Sequence, residues 1–209
     1  MFKKEALKIV GGLSNASKMP SKSIGLPAKE CGTGTTLRKL KESVCFDCYA
    51  MKGLYRFGVV QKAQYRRLEA LTDPRWVKAM ITLLIDQEYF RWHDSGDIQN
   101  MGHLENMMKV IRATPNCKHW IPTKEKAIVK RWLKAGNTIP ENCVIRLSAP
   151  MVNQRIKHHG DNVVRVQFSA VHTDAPLGQA CIAPQQAGEC RDCRACWDSE
   201  IECISYHKH

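Results

Sequence analysis

The order of apolar and polar residues predicts an α/β fold: a partial (β/α) barrel with mostly parallel strands and a cysteine-rich C-terminal extension. Three observations lead there. Between residues 89 and 171, short apolar runs alternate with stretches whose apolar residues recur at helical spacing. The joints are short, as parallel strand–helix–strand units require. From residue 172 the alternation stops and five cysteines follow. The expected division is therefore 1–171 for the barrel-like unit and 172–209 for a metal-binding tail packed on it.

In chain order, the first thirty residues read as loop with at most one strand, because GGLSNASKMPSKSIGLPAKE is rich in Gly, Ser, Lys and Pro. Two helices follow across residues 59–88. Their break falls at Thr72-Asp73-Pro74, where Asp73 can cap and Pro74 suits a first helical position. Trp76, Val77, Met80, Leu83 and Leu84 form a core-facing stripe. EYFRWHDSGDI then reads as a strand running into a polar loop. Leu104, Met107, Met108 and Ile111 mark an amphipathic helix, and CKHWIPT the next strand. Ile128, Val129, Trp132 and Leu133 mark a helix that Gly136 can close. NCVIRLSAP is a third strand. A short helix around NQRIKHHG precedes the strand NVVRVQFSA. A closed eight-fold barrel usually needs about 250 residues, so 209 suit an open or partial one.

The composition is that of an ordinary globular protein, 44% apolar and 25% charged, which excludes extended disorder. The formal charge is +12, and it is uneven: residues 37–78 carry ten Lys or Arg against four acids. Such a face attracts phosphate-bearing partners, nucleic acid among them, or is simply a solvated basic surface. The N-terminal MFKKEALKIVGGL has no signal-peptide core, and no run approaches a membrane span. The expected compartment is the cytoplasm, where thiols stay reduced. Ten cysteines there ask for a metal.

The tail holds Cys181, then Cys190, Cys193 and Cys196 at two-residue spacing. Such a run converges on one iron–sulfur cluster or one structural zinc. The front group, Cys31, Cys45 and Cys48, has only three thiols. Three thiolates can hold three irons of a 4Fe–4S cluster and leave the fourth iron open to a small-molecule ligand. A fourth ligand from Cys117, Cys143 or Cys203 is the alternative, as is one cluster shared by both groups. Cys117 and Cys143 start predicted strands and read as buried structural thiols.

In a parallel sheet, groups at the carboxyl ends of strands meet at one face. The first secure strand ends in His93, Asp94, Ser95, Gly96 and Asp97, the next at Thr123 and Lys124, the third at Arg146 and Ser148. Asp94 and Asp97 suit an amine or hydroxyls, Lys124 and Arg146 a carboxylate or phosphate. The structural alternative is that the two aspartates cap or tie their own loop. Asp94, Ser95, Asp97 and Lys124 are the expected catalytic groups; Tyr49, Gly96, Arg146 and Ser148 are expected to bind a cofactor. His93 reads as structural, and His158, His159, His207 and His209 lack ligand spacing with the cysteines.

LSNASKMPSKSIGLPA, VCFDCYAMKG, RWHDSGDIQN followed by TPNCKHWIPTKE, and CRDCRACWD together resemble the phage gene product 88 family, from Leu13 to the end. The resemblance implies phage origin, hence the host cell cytoplasm, and a cysteine-bound cluster. The CxxCYA element ahead of strand–helix units is also similar to radical S-adenosylmethionine enzymes, which implies S-adenosylmethionine as a co-substrate. This chain departs from those enzymes in having thirteen residues between Cys31 and Cys45 instead of three. The expectation is thus an iron–sulfur protein, radical S-adenosylmethionine-like or of another redox type. The alternative is a non-enzymatic basic protein that binds nucleic acid or a host factor, with structural zinc.

Overall fold

The computed structural model describes residues 1–16, 18–156 and 165–208. Its centre is a seven-stranded sheet in the order β1-β2-β3-β4-β5-β7-β6. The strands are β1 (Lys22–Ile24), β2 (Tyr89–Trp92), β3 (Lys118–Thr123), β4 (Cys143–Ser148), β5 (Val166–His172), β6 (Gln179–Ala180) and β7 (Cys203–His207). Every pairing is parallel. The sheet is open, with β1 and β6 as its edges, so closure into a barrel is not reached.

From β1 to β5 each crossover steps in the same direction. Because such crossovers are right-handed, their helices collect on one face. These are α4 (Trp76–Leu84), α5 (Met101–Ala113) and α6 (Lys126–Lys134), joined by α1 (Lys3–Ile9), which packs on α4. Trp76, Met80 and Leu84 of α4, Met107 and Ile111 of α5 and Trp132 of α6 meet Phe90, Trp92, Ile121, Ile145 and Phe168 in one core. Each such side chain removed from water contributes roughly 1.5–3 kcal/mol. α2 (Gly32–Leu37) and α3 (Gly58–Ala70) belong to the segments between β1 and α4.

Local chemistry sets the helix ends. The Asn100 side chain accepts from the His103 N–H and caps α5. The Asp73 carboxylate accepts from the Arg75 N–H at the break between α3 and α4. After α6 the chain turns at Gly136 with φ +84°, a conformation only glycine adopts freely.

Among the described residues no α-helix covers the other sheet face. It presents Tyr89, Arg91, Trp120, Val144, Arg146 and Tyr206, and the C-terminal segment lies against it. Trp197 packs edge-on to Tyr89 and Trp120, at 5.5 and 5.2 Å between ring centres, and donates its indole N–H to the Phe90 carbonyl. Arg146, fully buried, does most of the holding. Its Nε donates to Cys196 O at 3.0 Å, Nη1 to Ile201 O at 2.9 Å and Phe168 O at 3.3 Å, and Nη2 to Ala195 O at 3.1 Å and Asp198 O at 2.6 Å.

Three expectations need correction. The opening segment contains α1, which seats Ala6, Ile9 and Val10 in the core; a helix of seven residues with exposed Lys8 inside it gives too short a periodicity to read. The tail contributes β6 and β7, and β7 pairs with both β5 and β6. No helix forms over 153–156, where Val152-Asn153 make a turn with Asn153 at φ +57°. The rest of that expected helix and the start of the strand expected from residue 162 lie outside the described residues. Among the described residues no helix is long and apolar enough to cross a membrane.

Replacing Arg146 by Met should lower stability by about 3 kcal/mol or more, because five carbonyls lose a charged donor. Residues 190–202 should then become open to limited proteolysis before the rest of the chain. A urea midpoint within experimental error of the wild type would refute the latch.

Candidate functional site

Parallel pairing brings the carboxyl ends of β1 to β4 to one side, and the front cysteines gather there. After β1 the chain makes a 3-10 turn at Ala28–Glu30 and reaches Cys31, the residue before α2. Glu125, just beyond β3, accepts from Thr33 N–H at 2.7 Å and Thr33 Oγ1 at 2.8 Å, and so pins the start of α2. Ser43 then donates to Leu37 O and accepts from Phe46 N–H. Val44 N–H donates to Pro150 O, and Val152 N–H to Glu42 O, beyond the end of β4. The thirteen-residue spacer is therefore one short helix and a return turn, tied to the ends of β3 and β4. It delivers Cys45, buried, and Cys48, half-buried, back to Cys31.

The three thiols feel one another. Burial pushes the Cys31 thiol up to about 12, with Asp97, Cys48 and Cys45 adding and Arg38 opposing. Burial also raises Cys45, where Lys124 opposes most and Arg38 less, while Cys48 and Asp97 add. Gly34 keeps the space between two thiols open. A Cβ there would lie 2.9 Å from Cys31 Cβ, 3.6 Å from Cys31 Sγ and 3.7 Å from Cys45 Sγ.

The expected polar residues divide into two groups. Asp94, Ser95, Gly96, Asp97, Lys124 and Tyr49 all belong to the region of the front cysteines. Asp97 ties β2 to β3: its carboxylate accepts from Thr123 Oγ1 at 2.5 Å, Lys124 N–H at 2.8 Å and Ile98 N–H at 2.8 Å. Ser95 Oγ donates to Leu26 O and accepts from Gln64 Nε2. Gly96, at φ +75°, lets the chain pass Leu26, whose Cβ would stand 2.6 Å from any added Cβ. Tyr49 donates to the Asp94 carbonyl at 2.5 Å, and Asp94 Oδ1 is buried without a hydrogen-bond partner. Of this set, only Asp94 keeps an unengaged carboxylate oxygen.

Arg146 and Ser148 do not join them. The guanidinium expected to take a carboxylate or phosphate is spent on four tail carbonyls and that of Phe168 in β5, because it points to the face without α-helices. Ser148 accepts from Ser169 Oγ at 3.1 Å. His93, at φ +54°, is buried with both ring nitrogens unpartnered and packs edge-on to His103.

The tail cysteines form a second electrostatic group. Burial raises Cys190, then Cys181 and Cys193 add, while Arg91 and Arg194 oppose. Burial pushes Cys196 up to about 11, against the Tyr206 hydroxyl, Arg146 and Arg91. Arg91 stands between the two groups. It stacks over Trp120 at 4.6 Å, and its Nη2 reaches the Tyr49 hydroxyl at 3.3 Å. Among the described residues no three Cys, His, Asp or Glu side chains stand close enough to hold one metal ion.

A cleft of about 150 Å³ is lined by residues that flank the front cysteines in sequence, Ala28, Lys29, Ala50 and Met51, and by Tyr55, Arg56, Gln61 and Gln64 among others. Sequence reasoning missed Arg38, Arg91, Gln64 and Glu125. The two arginines and Gln64 carry no motif, and Glu125 follows Lys124 in a segment whose lysine alone drew attention.

A family model described as Gene product 88 matches residues 2–199. No curated protein and no solved structure matches the chain.

Asp97 supplies a pH test of this loop network. Burial pushes its carboxyl up from 3.8 to about 6, although Lys124 N–H, Thr123 and Ile98 N–H pull it down. The folded chain thus keeps a proton that the unfolded chain sheds between pH ~4 and ~6, so stability falls as pH rises through that window. Asp97→Asn should remove a slope on the order of 3 kcal/mol over the window. Urea titrations of both proteins check it; a wild-type advantage that grows with pH there would contradict the sign.

Proposed function

The chain belongs to the gene product 88 family, a family of phage gene products, and from that premise we propose an iron–sulfur protein. Cys31, Cys45 and Cys48 hold a 4Fe–4S cluster at the carboxyl ends of the strands, its fourth iron open to a small molecule. The observation that carries the reading is the return of three thiols, and no fourth cysteine beside them in sequence, to one loop-bounded spot. Glu125 beyond β3 and Pro150 and Val152 beyond β4 hydrogen-bond the loop that carries them.

The residues fit such a cluster better than a single ion. A tetrahedral zinc with Zn–S bonds of ~2.3 Å needs sulfurs about 3.8 Å apart, whereas a cube spreads its thiolates over different irons. The gap at Gly34 suits that wider spacing. Arg38 and Lys124 oppose the burial of negative charge on the thiolates. Bound there, the cluster would supply a low-potential electron and one open coordination position.

The one-sided sheet reads as part of a (β/α) barrel whose inner face is filled by the tail. Asp94 and the cleft lined by Tyr55 and Gln64 would bind and orient a small ligand, with S-adenosylmethionine as the first co-substrate to test. Cys181, Cys190, Cys193 and Cys196 hold a second cluster, or a zinc if their loop tightens around it. Cytoplasmic action in the host follows from the reduced thiols this chemistry needs.

Anaerobic purification should yield a brown protein absorbing near about 400 nm, with iron and sulfide in equal amounts. Cys31→Ala, Cys45→Ala and Cys48→Ala should each remove one cluster's iron and leave that of the tail. A colourless protein holding only zinc sinks the reading and favours the non-enzymatic alternative. Loss of all iron both from a front change and from Cys190→Ala or Cys193→Ala points to a single shared cluster. If strong reductant yields no cleavage of S-adenosylmethionine, that co-substrate is excluded while the cluster stands.

A further inference from the structure

Among the described residues, seven of the twelve exposed large apolar side chains fall in one stretch of the chain. Leu40, Phe46, Tyr49, Leu54, Phe57, Val59 and Tyr65 all lie on residues 40–65, around the front cysteines, and Leu54 and Val59 are 70% and 73% exposed. Cations interleave with them. Lys52 is paired with Asp47, which also meets Lys208 at 3.9 Å. Among the described residues no carboxylate pairs with Lys29, Arg56 or Lys62. The nearby acids are few: Glu30 accepts from the Tyr65 hydroxyl, and Glu42 and Glu69 are exposed.

The cleft beside this rim has its own chemistry. Two carboxamides, Gln61 and Gln64, and the Tyr55 ring line it, with Lys29 and Arg56 also on its wall. Ser95 takes the Gln64 amide nitrogen at 2.8 Å, which leaves the carboxamide oxygen free to accept. Tyr49 is held at depth by its hydroxyl while its ring is half exposed. Amides that read base edges, rings that stack and cations that meet phosphates are the elements of single-strand recognition. A protein partner is less well matched, since lysine is depleted from protein interface centres and here lysines run through the patch.

We propose that this rim binds single-stranded nucleic acid, one base entering the cleft beside Tyr55, Gln61 and Gln64, with phosphates on Lys29 and Arg56 and a flanking base on Phe57. The binding stands on the surface alone. Only the idea that this nucleotide is the substrate rests on the iron–sulfur reading.

The test is fluorescence anisotropy of the full chain with labelled oligo(dT) and oligo(A) of about 16 nucleotides, across a salt series. Binding should weaken with salt along a linear log–log slope. Lys29→Glu with Arg56→Glu should cost at least about tenfold and flatten that slope. Phe57→Ala should cost about five- to hundredfold and leave the slope unchanged. All three positions are on the surface, so the core is spared. No binding at low salt, equal binding of a duplex of the same length, or indifference to all three changes overturns the proposal. Capture of an acidic polypeptide such as polyglutamate in place of the oligonucleotides overturns it too. A Cys31, Cys45 and Cys48 triple alanine variant separates the two readings: retained oligonucleotide binding by a cluster-free protein upholds the surface whatever becomes of the cluster.

Discussion

A buried guanidinium that makes no ion pair among the described residues governs this structure. Arg146 is buried in the sheet, and its nitrogens serve five main-chain carbonyls, four of them in residues 195–201. A charge withdrawn from water needs dipoles around it, and irregular chain laid on a sheet needs donors for its carbonyls. Each solves the other's problem. The sheet winds in one direction, so its α-helices collect on one face, and this exchange, with Trp197 packed on Tyr89 and Trp120, lets a cysteine-rich segment of little apolar content cover the other. The same positive charge opposes the desolvation of Cys196, so the latch also conditions the thiols it positions.

The carboxyl-end loops obey a related rule. Polar side chains at the strand ends are mostly engaged with neighbouring loops: Asp97 with Thr123 and Lys124, Ser95 with Leu26 and Gln64, Glu125 with Thr33. These bonds join residues far apart in sequence and fix where Cys31 and Cys45 stand. Such a network is costly if any member is left unpaired, and that makes the buried, unpartnered Asp94 oxygen stand out against it.

The strands β2 to β5 and the helices α5 and α6 were legible because each carries several apolar residues at one clear period. What escaped had physical reasons to do so. α1 is too short to show a period, and β7 is a five-residue strand amid cysteines. The role of Arg146 depended on which face of β4 lacked a helix, and that follows from topology, which residue order around position 146 does not carry. Arg38, Arg91 and Gln64 reach the site only through folding over long sequence separations.

The place of β7 has a consequence in time. Its strand lies inside the sheet, between β5 and β6, although it is the last of the seven to be made. While a ribosome is still producing residues 181–202, β5 has an open edge and β6 has nothing to pair with. The nascent protein must hold that half-built edge, with its thiols uncovered, until residues 203–207 emerge and slot into place. Assembly order, as much as affinity, would then decide what those thiols meet first.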